Sequence, residues 1–185
     1  EVSEDNPTKS SYACEEDLIS SFHILIYSKD NLVSYKSVYG DPRGKLYEFR
    51  LPNGEYDCYA VANIDSFEPE QFELRNDILF YCADTDGSSF DSAGFPMAWT
   101  CSRYITLNGY ENMRIELERL VSRWEFAVNL SELPELIINS VQIVNVATFV
   151  SPYANINNID NVDGDSATAY DISRLNNGGT MVFYV

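Results

Sequence analysis

The sequence predicts an all-β sandwich of about seven strands with one short inserted helix. Alternating apolar runs recur at intervals of roughly 8 to 12 residues, and Gly, Asn and Pro residues separate them. Aromatic residues make up 14% of the chain, with 13 Tyr and 10 Phe, and such residues favour strands over helices. The chain has 185 residues, of which 45% are hydrophobic, so it can bury a core of its own.

The polar, acidic residues 1–17 are expected to form a flexible N-terminal arm. Residues 22–28 and 32–38 are the first two predicted strands, since apolar side chains alternate along them. The tripeptide Lys29-Asp30-Asn31 is the predicted turn between them.

Residues 45–51 and 55–64 are predicted to form a hairpin. Tyr47, Phe49 and Leu51 share one face of the first strand. The intervening Pro52-Asn53-Gly54 is a strong turn sequence, because Asn-Gly adopts positive φ at little cost.

Residues 66–83 are the predicted helix. Ser66, Pro69 and two acidic residues resemble a helix start, and apolar residues from Phe72 to Cys82 then recur at helical spacing. A loop rich in Asp, Ser and Gly follows at 84–94, and strands are expected at 97–101 and 103–107.

Residues 113–118 alternate strictly, and the phase of the apolar face inverts at Arg119-Leu120. Since a shift of one residue turns every side chain to the other face, a bulge or a switch between sheets is expected there. Residues 137–150 are apolar on both faces and predict a long, buried strand.

The domain prediction is an arm at 1–17, a sandwich at 18–150, and a polar loop or linker with a terminal strand at 151–185. The terminal strand, residues 181–185, is expected either to dock alone or to begin a second domain. No run of about 18 apolar residues is present, so no segment is predicted to span a bilayer.

The 12 basic and 29 acidic residues give a formal charge of −17, which repels phosphate backbones and argues against nucleic acid as a partner. The single histidine, His23, is expected to be a partly buried strand residue opposite the core face, because no nucleophile motif accompanies it. No catalytic residue, cofactor site or metal site is predicted, and the chain is not expected to be an enzyme.

Four cysteines, Cys14, Cys58, Cys82 and Cys101, have spacings that match no zinc or redox motif. Cys58 and Cys82 are expected to be small buried hydrophobic residues, and a disulfide in an oxidising compartment is left open.

Two aspartate clusters are explained by turn formation rather than calcium binding, because neither follows the helix-flanked calcium-loop pattern. They are Asp84-Thr85-Asp86-Gly87 with Asp91, and residues 160–165. Trp124 lies on the apolar face of its strand and is expected in the core, whereas Trp99 is left open between core packing and a sugar-stacking surface.

Several short sequences occur in a fixed order along the chain. They are FHILIY at 22–27, LPNGEYDCYAVAN at 51–63, PMA at 96–98, IELERLVSRW at 115–124 and VFYV at 182–185. Together they resemble the N-terminal domain and the start of the second domain of the Bacteroidetes fimbrillin superfamily, which includes major and minor fimbrium subunits and fimbrium anchors.

The resemblance implies a transthyretin-like Greek-key sandwich, export as a lipoprotein, and a cell-surface or outer-membrane location in a fimbrium (pilus) that serves cell adhesion. It implies other fimbrial subunits as partners, joined by donor-strand complementation. The family carries its lipid on a cysteine at the mature N-terminus, where this sequence has Glu1, so lipid attachment is expected on a segment not present here.

Shaft subunits of the family are cleaved after an early arginine, but the first arginine here is Arg43, which favours an anchor, accessory or differently processed subunit. The alternative interpretation is a surface module that binds carbohydrate or another host ligand through exposed Tyr and Trp.

Overall fold

The computed structural model describes residues 18–64, 66–84, 94–106, 112–131, 135–141, 149–153, 173–177 and 180–184. The predicted arm at 1–17, Cys14, and both aspartate clusters apart from Asp84 lie outside these ranges. So does most of the predicted loop at 151–180.

The structure is mostly β, as predicted. Its strands are β1 Ser21–Ser28, β2 Asn31–Tyr39, β3 Gly54–Ala62, β4 Ala83–Asp84, β5 Met97–Ile105, β6 Glu118–Arg119, β7 Arg123–Ala127, β8 Phe149–Val150 and β9 Thr180–Tyr184. Within the described ranges, the helical elements are a 3₁₀ turn at Pro69–Gln71 and two short helices, α1 Arg75–Leu79 and α2 Ser173–Asn176. Greek-key connectivity and a count of seven strands remain predictions.

One antiparallel sheet of five strands, in the order β2-β1-β3-β5-β6, organises the described part of the chain. Pairs β4-β8 and β7-β9 are separate. Alternating residues of β1 and β3 supply two hydrophobic clusters, one on each face of the large sheet. Strand β1 is therefore buried along nearly its whole length.

The helix-side cluster lies against the segment that carries α1. Its buried members are Leu25, Tyr27, Tyr59, Val61, Ile64, Phe67, Phe72, Ile78, Ala83 and Ala98. The cover-side cluster occupies the opposite face, and its buried members are Ile19, Phe22, Ile24, Ile26, Tyr56, Cys58, Ala60, Ala62 and Met97.

The predicted hairpin between residues 45–51 and 55–64 is wrong. Strand β3 forms, but β1 and β5 occupy its two edges, so its ladder partners come from distant parts of the chain. Residues 45–51 belong to no strand. The two short strands predicted at 97–101 and 103–107 are instead the single strand β5.

The predicted change at Arg119 is a switch between sheets. Strand β6 pairs with β5 in the large sheet, and β7 begins at Arg123 and pairs with β9. The terminal strand is thereby confirmed, and it docks on β7. The side chains of Trp124 and of residues 181–184 lie outside the described parts.

The long buried strand predicted at 137–150 is wrong where the structure describes it. Residues 137–141 form no strand, and Ile137 is 67% exposed. The side-chain amide of Asn176 donates to the carbonyl of Ile138 and accepts from its N–H, so a side chain takes the place of a neighbouring strand. Only β8 forms at the end of this range, and residues 142–148 lie outside the described parts.

The predicted helix at 66–83 is shorter than expected. It consists of the 3₁₀ turn and α1, with Phe72 and Ile78 buried in the helix-side cluster as the spacing predicts. Cys82 is exposed, which corrects the prediction that it is buried, because the helix ends at Leu79.

Candidate functional site

Two extended segments cover part of the cover-side cluster and form the main candidate site. In the first, residues 45–51, the side chains of Tyr47, Phe49 and Leu51 pack against the cluster, and the intervening side chains are exposed. The Tyr47 ring lies 6.1 Å from the Phe22 ring, and the ammonium of Lys36 lies 5.3 Å from the centroid of the Tyr47 ring. This segment therefore lies above β1 and β2.

The second segment, residues 112–117, lies on the side of β5. Met113, Ile115 and Leu117 pack on the same cluster, and the Sδ atom of Met113 is 3.1 Å from the Sγ atom of Cys101. The alternation predicted for both segments is thus confirmed at the level of which side chains face the core.

The backbones of these covering segments differ from those of true strands. Within the described ranges, no backbone hydrogen bond joins residues 46–51 or 112–117 to another strand. Extended backbone with unpaired N–H and C=O groups is a template for another strand.

Strand β5 has a matching open edge. One edge pairs with β3 along all nine residues of β5, but the other pairs with β6 only at Met97 and Ala98. Beyond this point residues 112–117 form no described ladder with β5, although the side chains of Met113 and Cys101 touch, and Trp99–Ile105 has no described ladder partner on this edge. The result is a fork whose two arms both pack side chains on the cover-side cluster.

A cleft of about 380 Å³ lies at the base of the fork. Its walls include Trp99, Thr100, Glu116, Glu118, Arg119 and Tyr153. Trp99 is half-buried and packs against the cover-side cluster, so core packing accounts for part of its surface and the cleft for the rest.

His23 is 2% exposed, so the expectation of a partly buried residue is corrected towards full burial. Both faces of β1 are covered, since the ring of Phe67 lies 5.0 Å from the ring of His23 on the helix side. Its Nδ1 is 2.9 Å from the hydroxyl of Ser37, its direct partner in the β1–β2 ladder. Burial lowers the pKa of His23, with the carboxylate of Glu70 acting in the opposite direction. His23 is buried and Ser37 is half-buried, and their contact bridges the two strands β1 and β2.

The cysteines fall into two environments. Cys58 is buried in the cover-side cluster, as predicted, and lies directly opposite the half-buried Cys101 in the β3–β5 ladder. Burial raises the pKa of the Cys58 thiol to about 12. Cys82 lies on the surface. Among the described residues, no three His, Cys, Asp or Glu side chains form a cluster that could hold a metal ion.

Sequence reasoning missed the role of Asn63, the last residue of the motif at 51–63. It is 5% exposed and has φ of 57°. Its amide donates to the carbonyls of Leu18 and Phe95 at 2.7 and 2.9 Å, and its carbonyl accepts from the N–H of Ser20 at 2.8 Å. Asn63 thus ties the entry of β1 and the entry of β5 to the end of β3. The clue in the sequence was a polar residue ending the apolar run of β3.

In the described ranges no helix is long and apolar enough to cross a membrane.

Solved structures similar to this chain include two fimbrial proteins. The tip fimbrial protein Mfa3 from Porphyromonas gingivalis, solved with a C-terminal truncation, aligns with a TM-score of 0.65 at 18% identity. That alignment covers 92% of this chain and 64% of the Mfa3 structure. A fimbrial assembly protein from Parabacteroides distasonis aligns with a TM-score of 0.56 at 12% identity, over 95% of this chain and 72% of the other.

No protein-family model and no curated protein matches the sequence. The likeness is therefore one of fold, and it agrees with the resemblance to the fimbrillin superfamily. The chain has the fold of these Bacteroidetes fimbrial proteins.

Proposed function

We propose that this chain is a structural, non-enzymatic member of the fimbrillin superfamily that assembles into a fimbrium at the cell surface. It joins neighbouring subunits by strand exchange, as an anchor or accessory subunit or as a differently processed shaft subunit. It is an exported protein, attached to the outer membrane through a lipid on a segment outside this sequence. The fold shared with two fimbrial proteins supports this proposal.

The observation that carries strand exchange is the fork between β5 and residues 112–117. The backbone of its arms has no ladder partner among the described residues, while their apolar side chains already contact a buried cluster. A strand from another subunit gains main-chain hydrogen bonds on entering such a site and places every second side chain on the cluster. Each hydrogen bond contributes roughly 0.5–1.5 kcal/mol, so several in register make a stable junction.

The chemistry of the incoming strand follows from the arms. Side chains that point to the cover-side cluster have to be apolar, because Ile105, Met113 and Ile115 line that side. Those that point outward meet Arg103, Arg114 and Glu116, which are exposed, so polar residues of either charge fit there. The partner is thus an alternating apolar and polar segment of a neighbouring subunit.

Hydrogen exchange tests this proposal directly. Backbone amides of residues 46–51 and 112–117 exchange quickly in the isolated chain, because no strand protects them. In fimbriae isolated from cells that express the protein, we expect strong protection of residues 112–117 and of the free edge of β5. The amides of Asp41 and Gly44, two exposed residues whose N–H groups make no backbone hydrogen bond within the described ranges, serve as the control and should remain unprotected in both states. Equal exchange at the fork in both states refutes strand entry there.

The cleft at the base of the fork supports a second candidate function, which is binding of a host glycan or another ligand. An aromatic face beside carboxylates is a common way to hold a sugar, and Trp99 lies beside Glu116 and Glu118. A glycan array tests it, with the Trp99→Leu variant as the comparison. Binding by the parent chain that is lost in the variant supports this function, and no binding on the array excludes the ligands tested.

A further inference from the structure

Cys58 and Cys101 are directly opposed in the antiparallel ladder of β3 and β5. Both thiols are free. Opposed residues in such a ladder have Cα atoms about 4.5–5.5 Å apart, within the range of about 4.4–6.8 Å that disulfides show. We infer that Cys58 and Cys101 are the site of a cross-strand disulfide, closed by exchange with an oxidant that itself carries a disulfide. The inference goes beyond the proposed function and does not depend on it.

The two thiols differ in access, and this sets the order of the reaction. Cys101 is half-buried on β5, where burial raises the pKa of its thiol and the positive charge of Arg103 acts in the opposite direction, whereas Cys58 is 4% exposed. The Cys101 thiolate attacks one sulfur of the oxidant's disulfide, which forms a mixed disulfide and releases one oxidant thiol. The Cys58 thiolate then attacks the Sγ of Cys101 and releases the second oxidant thiol. Two electrons pass to the oxidant, and its two sulfurs take up the two protons that the cysteines lose.

Burial explains why the bond would persist once formed. The Sγ atom of Cys58 lies within the cover-side cluster, which excludes a reducing thiol. Cys82, by contrast, is exposed and has no cysteine opposite it in a described ladder. A bond between β3 and β5 would tie together two adjacent strands at the centre of the large sheet.

The test uses the full chain with the substitutions Cys14→Ser and Cys82→Ser, which leave Cys58 and Cys101 as its two cysteines. The protein is treated with oxidised glutathione both when folded and during refolding, so that slow access to the folded thiols cannot hide the bond. We expect the mass to fall by that of two hydrogen atoms and no thiol to be titratable after denaturation. We also expect the melting temperature to rise by an amount on the order of 10 °C, since closing a loop of this length constrains the unfolded chain.

Dithiothreitol should reverse all three changes. The further variant Cys101→Ser, in the same background, is the control and should keep the same melting temperature with and without the oxidant. Two titratable thiols after both treatments overturn the inference. So does the addition of glutathione to each cysteine without closure of the internal bond. Because the oxidised and reduced forms of one variant are compared, the result does not depend on how far the substitutions alter folding.

Discussion

Replacement of Asn63 by alanine should be among the most damaging single changes in the described part of the chain. The substitution removes three short hydrogen bonds, those to Leu18, Phe95 and Ser20, which hold the starts of β1 and β5. Each is worth about 1 kcal/mol, and more where a buried partner is left without a bond. Alanine at φ of 57° adds about 1 kcal/mol of backbone strain. We therefore expect a loss of about 3–5 kcal/mol in the free energy of unfolding.

Urea denaturation followed by circular dichroism measures this loss. Asn63→Gly removes the same hydrogen bonds but tolerates the positive φ, so it should be less destabilised than Asn63→Ala by about 1 kcal/mol. Asn53→Ala changes an exposed asparagine and should alter stability by no more than about 0.5 kcal/mol. If Asn63→Ala lost less than about 1 kcal/mol, or matched Asn53→Ala, the three hydrogen bonds would not hold the strands as argued.

Three further predictions follow from local geometry. Burial lowers the pKa of His23 from 6.5 in the folded chain, so the unfolded chain binds more protons. The free energy of unfolding should therefore fall as the pH drops below about 6.5. His23→Gln should flatten this step in pH-dependent melting curves. In urea titrations, Gly94→Ala should destabilise the fold more than Gly40→Ala. Both glycines have positive φ, but a Cβ atom at Gly94 would lie 2.2 Å from a backbone oxygen, whereas a Cβ atom at Gly40 would meet open space. Arg75→Ala breaks the ion pair with Asp57. Because Arg75 is about one-third exposed, we expect the free energy of unfolding to fall by only about 1 kcal/mol, and by less in high salt. An unchanged loss in 1 M salt would contradict an ionic origin.

Local alternation predicted which side chains face the core but not which strands are neighbours. The side chains of Tyr47, Phe49 and Leu51 do face the cluster, although their backbone pairs with no described strand. The Asn53-Gly54 turn suggested a hairpin, but pairing of β3 with β1 and β5 depends on contacts distant in sequence, which turn residues do not encode.

The candidate site was hidden for the same reason. A fork arises from the absence of a ladder partner, and a sequence pattern of alternating residues looks the same whether or not its edge is paired. The change of phase at Arg119 was more informative. Few structures accommodate an inversion of the apolar face, and a switch between sheets is one of them. The opposition of Cys58 and Cys101 depends on the β3–β5 register, which spacing along the chain does not reveal.

The short strand β6 is expected to yield first when the molecule is under mechanical load. Strand β9 is held to β7 by five residue pairs, whereas β6, which continues into β7, is held to β5 by only two. A force applied along the terminal strand therefore reaches the large sheet through its narrowest ladder, reinforced by the hydrogen bond from the N–H of Leu120 to the carbonyl of Pro96. We expect β6 to detach from β5 before β1 and β3 separate, so that residues 118–122 are pulled away from the large sheet while its central strands remain paired. In the fimbrium proposed above, a subunit of this kind would lengthen under a pull and recover its length when the pull is released.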